Sequence, residues 1–136
     1  MNARRTVVGA AAAASFTLSG LGVVALAGPA SAKGVEARAS GVCAGVGVWR
    51  LKAKTQERAV AIEYELDTNR AGQRWRVNLS DDGVVVGSGT FVTSAPSGSF
   101  EVRRVVANRP GTDRIAATAT NTATGATCRG ALTFAG

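Results

Sequence analysis

Asp113-Arg114-Ile115-Ala116-Ala117-Thr118-Ala119-Thr120 is the stretch that decides the fold. Asp113, Ile115, Ala117 and Ala119 alternate with Arg114, Ala116, Thr118 and Thr120. That period of two is the pattern of a half-buried strand. Thr124-Gly125 then supplies a turn. Residues 127–134 read as a returning strand that carries Cys128, Leu132 and Phe134. The second of the chain's 2 cysteines is Cys43, far upstream. A bond between them would staple a small β-sandwich shut.

The same alternation runs upstream of this hairpin. Residues 48–54 put Trp49, Leu51 and Ala53 on one side and Arg50, Lys52 and Lys54 on the other. Residues 59–66 put Val60, Ile62, Tyr64 and Leu66 inward, with Glu63 and Glu65 outward. A hairpin between the two sets Arg50 and Lys52 across from the two glutamates, pairs that contribute about 0.2–1 kcal/mol each. Residues 73–80 turn Trp75, Val77 and Leu79 inward and Arg74, Arg76 and Asn78 outward. Asp82-Gly83 is a hairpin signal, followed by a strand over 84–93 softened by Gly87 and Gly89. A strand over 100–106 comes next, where adjacent Arg103 and Arg104 break the alternation and suggest a bulge. Pro110-Gly111 turns the chain into the strand quoted first.

Residues 33–40 read as an N-terminal arm or a short edge strand with Val35, Ala37 and Ala39 inward. Residues 41–47, with three glycines around Cys43, suit a bend. The expectation is an all-β domain: a seven-stranded antiparallel sandwich of immunoglobulin or fibronectin III type, with one disulfide. A flattened barrel has the same periodicity.

The chain of 136 residues allows one domain. Its first 32 residues read as an export signal. Arg4 and Arg5 give the positive start, an Ala- and Gly-rich apolar run follows, and Ala30 and Ala32 frame a cleavage site after Ala32. Arg4-Arg5 also fits twin-arginine export, although Ala3 stands where Ser or Thr is usual. The apolar run is about long enough to span a membrane, but it is only mildly hydrophobic and ends in the cleavage site. Two cysteines in an exported domain of 33–136 read as one disulfide. Closing so long a loop stabilises by about 4–5 kcal/mol in the chain-entropy account. Removing Arg4 and Arg5 from the 16 basic residues leaves 14 against 9 acidic ones, a net charge of +5. That balance suits an anionic partner.

Several of these residues together carry a resemblance. Cys43, the run from Trp49 to Lys54, Asp67-Thr68-Asn69-Arg70, Gly72-Gln73, Trp75, Pro96-Ser97-Gly98-Ser99-Phe100, Asn108-Arg109, Gly111 to Ile115, Gly125 and Cys128 form one pattern. It resembles small secreted single-domain proteins of actinobacteria. The resemblance covers nearly all of 33–136 and implies an exported domain; it carries over no active site. The run Gly111, Asp113, Ile115, Ala117, Ala119 is similar to the sixth strand of immunoglobulin and fibronectin III domains, without their corner tyrosine. The apoproteins of secreted enediyne antibiotics are similar in size and form, but carry two disulfides where this chain has cysteines for one.

The residue inventory excludes much chemistry. With 0 histidines there is no Ser-His or Cys-His nucleophile pair, and zinc lacks its usual ligands. No cofactor and no metal is expected. Glu63 and Glu65 are two apart on one strand, near enough for an acid–base pair, yet they face basic residues and read as solvated ion pairs. Asp81 and Asp82 read as turn residues. Asp67, Asn69 and Gly72 echo a calcium loop, but its twelfth position is Asn78 rather than Glu, so Asx turns explain them. Arg74, Arg76 and Arg114 are expected to share an outer sheet face with Thr118 and Thr120, a basic patch for an anionic cell-wall polymer or another secreted protein. Nucleic acid is not expected, because Trp49 and Trp75 point into the core and leave no stacking surface. The function expected is a secreted, non-enzymatic interaction module. The alternative is an inhibitor of an extracellular hydrolase, using loops 67–72 and 93–99.

Overall fold

The computed structural model describes residues 34–136. The expected export segment lies outside the described residues. Eight strands follow one another: β1 (Glu36–Cys43), β2 (Gly47–Gln56), β3 (Ala59–Asp67), β4 (Arg74–Asp81), β5 (Val84–Val92), β6 (Ser99–Ala107), β7 (Asp113–Asn121) and β8 (Thr127–Phe134). They form two antiparallel sheets, in the orders β1-β2-β3-β6 and β5-β4-β7-β8. The non-hairpin pairs, β3 with β6 and β4 with β7, are those of an immunoglobulin-like sandwich, here with one strand added at the start. No helix in the described residues is long and apolar enough to cross a membrane.

The core lies between the sheets and is filled by the inward residues of the alternation. Leu51, Ile62, Tyr64 and Leu66 come from one sheet; Trp75, Val77, Leu79, Ile115 and Phe134 come from the other. All are almost fully buried. The Tyr64 ring tilts against Phe100 at 6.3 Å between centroids. Its hydroxyl is buried without a hydrogen-bond partner, and burial pushes the phenol pKa far up.

The eighth strand is β1, and it corrects the reading of 41–47 as a bend. Gly41 continues the strand opposite Trp49. A Cβ on Gly41 would stand 2.7 Å from the indole Nε1. The glycine is there for close approach and does not break the strand. The turn itself is confined to Ala44, Gly45 and Val46, with Gly45 at φ +74° and the Val46 amide donating to the Cys43 carbonyl.

Cys43 and Cys128 form the disulfide, with Cα atoms 5.6 Å apart. Cys43 ends β1 and Cys128 is the second residue of β8, so the bond joins the edge strands of the two sheets.

Arg103 and Arg104 make no bulge. The β3–β6 register is continuous from Ala59↔Ala107 to Asp67↔Ser99. Arg104 instead takes an inward position near the open side of the sandwich. Its stem crosses Gly87 of β5, where a Cβ would stand 2.7 Å from Cγ. Its guanidinium donates to the Arg103 carbonyl at 2.9 Å and reaches the Ser88 carbonyl at 3.5 Å. The stem packs while the charged head escapes to the rim. The real irregularity falls in β5: the register slips between Leu79↔Gly87 and Ser80↔Val85, leaving Val86 as the extra residue.

Candidate anion-binding face

Period two places Arg74, Arg76, Asn78 and Ser80 on the outer face of the β5-β4-β7-β8 sheet, because Trp75, Val77 and Leu79 are buried. Arg114, Ala116, Thr118 and Thr120 leave β7 on the same side. Register then fixes the neighbours. Arg76 pairs with Thr90 on β5 and with Thr120 on β7, and Thr120 pairs with Thr127 on β8. The next row is Ser88, Asn78, Thr118 and Arg129. Hydroxyls thus flank Arg76, and they can donate to the same oxyanion a guanidinium holds bidentately.

The three expected arginines share the face but do not form one patch. Arg114 lies beside the β4–β5 turn. Its amide donates to Asp82 Oδ1 at 2.8 Å and its carbonyl accepts from the Asp82 amide at 2.9 Å. Six residues along the strand separate that row from Arg76, or about 20 Å at strand rise. Arg129, which the alternation of 127–134 also turns outward, stands closer to Arg76 than Arg114 does. Sequence parity assigned the face, but only register could assign the neighbours.

The two outer faces differ in charge. On the β1-β2-β3-β6 sheet, Arg50 meets Glu65 at 2.8 Å, Lys52 meets Glu63 at 3.1 Å and Arg103 meets Glu63 at 3.4 Å. The first two pairs line a shallow groove of about 400 Å³ with Arg38 and Glu101. The hydrogen bond from Lys52 leads in holding the Glu63 carboxyl below its ordinary pKa; burial opposes it, and the charge of Lys52 and the bond from Arg103 add to it. On the other sheet, the outward positions of all four strands carry Arg74, Arg76, Arg114 and Arg129 and no acidic residue. None of these four arginines makes an ion pair among the described residues.

The remaining candidates resolve by geometry. Asp67 Oδ1 accepts from the Asn69 amide at 3.0 Å, an Asx turn. Loops 67–72 and 93–99 interlock at one end of the sandwich. Thr68 Oγ1 donates to the Gly98 carbonyl, the Gly72 amide donates to Thr93, and the Thr93 amide donates to Gln73. Asp82 is a turn residue, at φ +50° before Gly83 at φ +85°. Asp81 is not: it continues the inward side of β4 and is 2% exposed, as is Asp113 at the start of β7. Burial, then the charges of Asp113 and Asp82, push the Asp81 pKa up, while Arg109 pulls it down. The alternation Trp75, Val77, Leu79, Asp81 carried that signal; the neighbouring Asp82-Gly83 turn masked it.

Compared with known proteins, the chain matches no family model, no curated protein and no solved structure.

Proposed function

We propose that this protein is a secreted, non-enzymatic interaction module that holds an anionic polymer of the cell envelope on the outer face of the β5-β4-β7-β8 sheet. Arg74 and Arg76 are the main contacts, with Arg129 and the hydroxyls of Thr90, Thr118, Thr120 and Thr127 beside them. The observation that carries this reading is the segregation of charge: one sheet pairs Arg38, Arg50, Lys52 and Arg103 with glutamates, and the other leaves four arginines unpaired. Weakly hydrated, planar guanidiniums on a flat face suit phosphate groups spaced along a polymer. The disulfide and the export signal expected over 1–32 support action outside the cytoplasm. The absence of histidine and the ion pairing of Glu63 and Glu65 support a binding role over a catalytic one.

Retention on immobilised teichoic acid tests the proposal. Arg74→Ser with Arg76→Ser should lower retention with the fold intact. Retention equal to wild type would remove the face from consideration.

A second reading, inhibition of a secreted hydrolase, rests on the interlocked loops 67–72 and 93–99. Their cross-bonds give the rigidity an inhibitory loop needs, and Arg70 is exposed between them. Inhibition of a trypsin-like protease, lost in Arg70→Ala, would favour it.

A further inference from the structure

Three carboxylates converge at the end of the sandwich opposite the disulfide. Asp81 closes β4 and Asp113 opens β7, both on the inward side. Asp81 pairs in register with Ile115, so Asp113 is its diagonal neighbour on that side. Asp82 joins them from the turn, fixed by its two bonds to the Arg114 backbone. One oxygen from each of the three lies within 4.8 Å of the others.

Asp81 lacks the partners that would explain it as structure. Asp81 is 98% removed from solvent, at 2% exposure, and its Oδ1 accepts no hydrogen bond. The nearby cation, Arg109, stands 3.9 Å from Asp81 Oδ2 with half its side chain in water, too far for a hydrogen bond. One distant guanidinium faces three carboxylates, two of them buried. A buried charge persists only with a close counter-charge. On the loop that carries Arg109, Asn108 presents another buried oxygen, Oδ1, without a partner. It is a neutral donor at the same end of the fold.

We propose that Asp81, Asp82 and Asp113 form a calcium-binding site at this end of the sandwich. The donors are all hard oxygens, with no histidine in the chain and both cysteines oxidised, which selects against zinc and copper. Ca²⁺ accepts irregular shells of carboxylate and carbonyl oxygens at about 2.3–2.6 Å, whereas Mg²⁺ demands near-octahedral geometry at about 2.0–2.1 Å and keeps its waters, so an irregular all-protein cluster favours calcium. The ligands sit at strand ends and in a pinned turn, so calcium would tie the β4–β5 hairpin to the start of β7. Arg109 competes with the ion for Asp81 and swings outward when it binds. This site is separate from the Arg74 and Arg76 contacts, about 20 Å along the strands from Arg76.

Calorimetric titration of the purified, EDTA-treated protein with calcium chloride tests this, together with its thermal unfolding. The expected result is saturable binding of one ion, with Kd on the order of 10⁻⁴–10⁻³ M, as in extracellular modules. The melting temperature should rise in calcium chloride and stay nearly unchanged in magnesium chloride of equal ionic strength. Asp113→Asn should weaken calcium binding about tenfold or more, and Arg109→Gln should tighten it severalfold by removing the competitor. Arg109 is exposed, so that variant keeps the test decisive even if Asp113→Asn fails to fold. No calcium heat with identical melting in EDTA overturns the proposal. So does an equal response to magnesium, or an Arg109→Gln protein whose calcium affinity is that of wild type.

Discussion

Gly130 of β8 lies flat against the indole of Trp49 on the opposite sheet: a Cβ on Gly130 would stand 2.5 Å from ring carbon Cε3. Gly41 of β1 leaves the same ring room on its other side. Trp49 therefore fills the gap between the sheets beside the disulfide, in a slot made by two glycines. Gly130→Ala should overpack that slot and cost about 1–3 kcal/mol. The cost should largely vanish in a Trp49→Ala background, because the clash partner is gone. Urea denaturation of the four proteins checks this; additive losses would mean that backbone conformation, and not the indole, demands glycine.

Tyr64 gives the opposite sign. Its ring is needed, but its hydroxyl is buried unpaired. An unsatisfied buried donor costs about 1–3 kcal/mol. Tyr64→Phe keeps the ring contact with Phe100 and removes the cost, so stability should rise by about 1 kcal/mol. Thermal melts of the two proteins decide, and a lower melting temperature in the variant would show that the hydroxyl finds a partner in solution.

The acid limb of stability should carry the signature of Glu63. Its folded pKa lies below the ordinary 4.5, so its contribution is fully present above the unfolded value and is lost as pH falls through the folded one. Glu63→Gln should therefore be less stable than wild type near neutrality and converge on it in acid, as pH falls below the ordinary carboxylate range. The melting-temperature difference, followed from pH 7 to pH 3, reads this directly. A constant difference across that range would assign the effect to packing.

The arginines of the outer face should not be equivalent. Arg74→Ser with Arg76→Ser should lower retention on anionic wall polymer, while Arg114→Ser, some six residues along the strands, should change it little. Wild-type retention should weaken steeply between 0.01 M and physiological salt, as the Debye length shrinks from about 30 Å to about 8 Å. Stability should survive in each variant, since exposed substitutions usually stay within about 0.5 kcal/mol. Equal losses from Arg114→Ser and from the Arg74/Arg76 pair would favour diffuse charge attraction over a defined contact.

Much of the fold was legible because alternation reports burial directly. Trp75, Val77 and Leu79 point inward as the pattern requires, and Arg50 and Lys52 face Glu65 and Glu63 in the expected hairpin. The differences share a cause: local composition does not say what lies across the sheet. Glycines around Cys43 look like a bend until Trp49 is seen against Gly41. Arg103-Arg104 looks like a bulge until Gly87 is seen to leave room for an inward arginine. Arg74, Arg76 and Arg114 share a face by parity, but their spacing depends on a register set by turns and bulges. Asp81 looks like a turn residue beside Asp82-Gly83, although its parity matches Leu79.

The bond between Cys43 and Cys128 spans 85 residues. A pull on the two ends of the described chain meets that bond once β1 and most of β8 have peeled away. Everything between stays out of the load path. At full extension the sheltered segment would measure about 290 Å, length that tension cannot draw out until the disulfide is reduced. For a domain pulled by its two ends, reduction of that bond sets the limit on stretching, and the packing of the sheets does not.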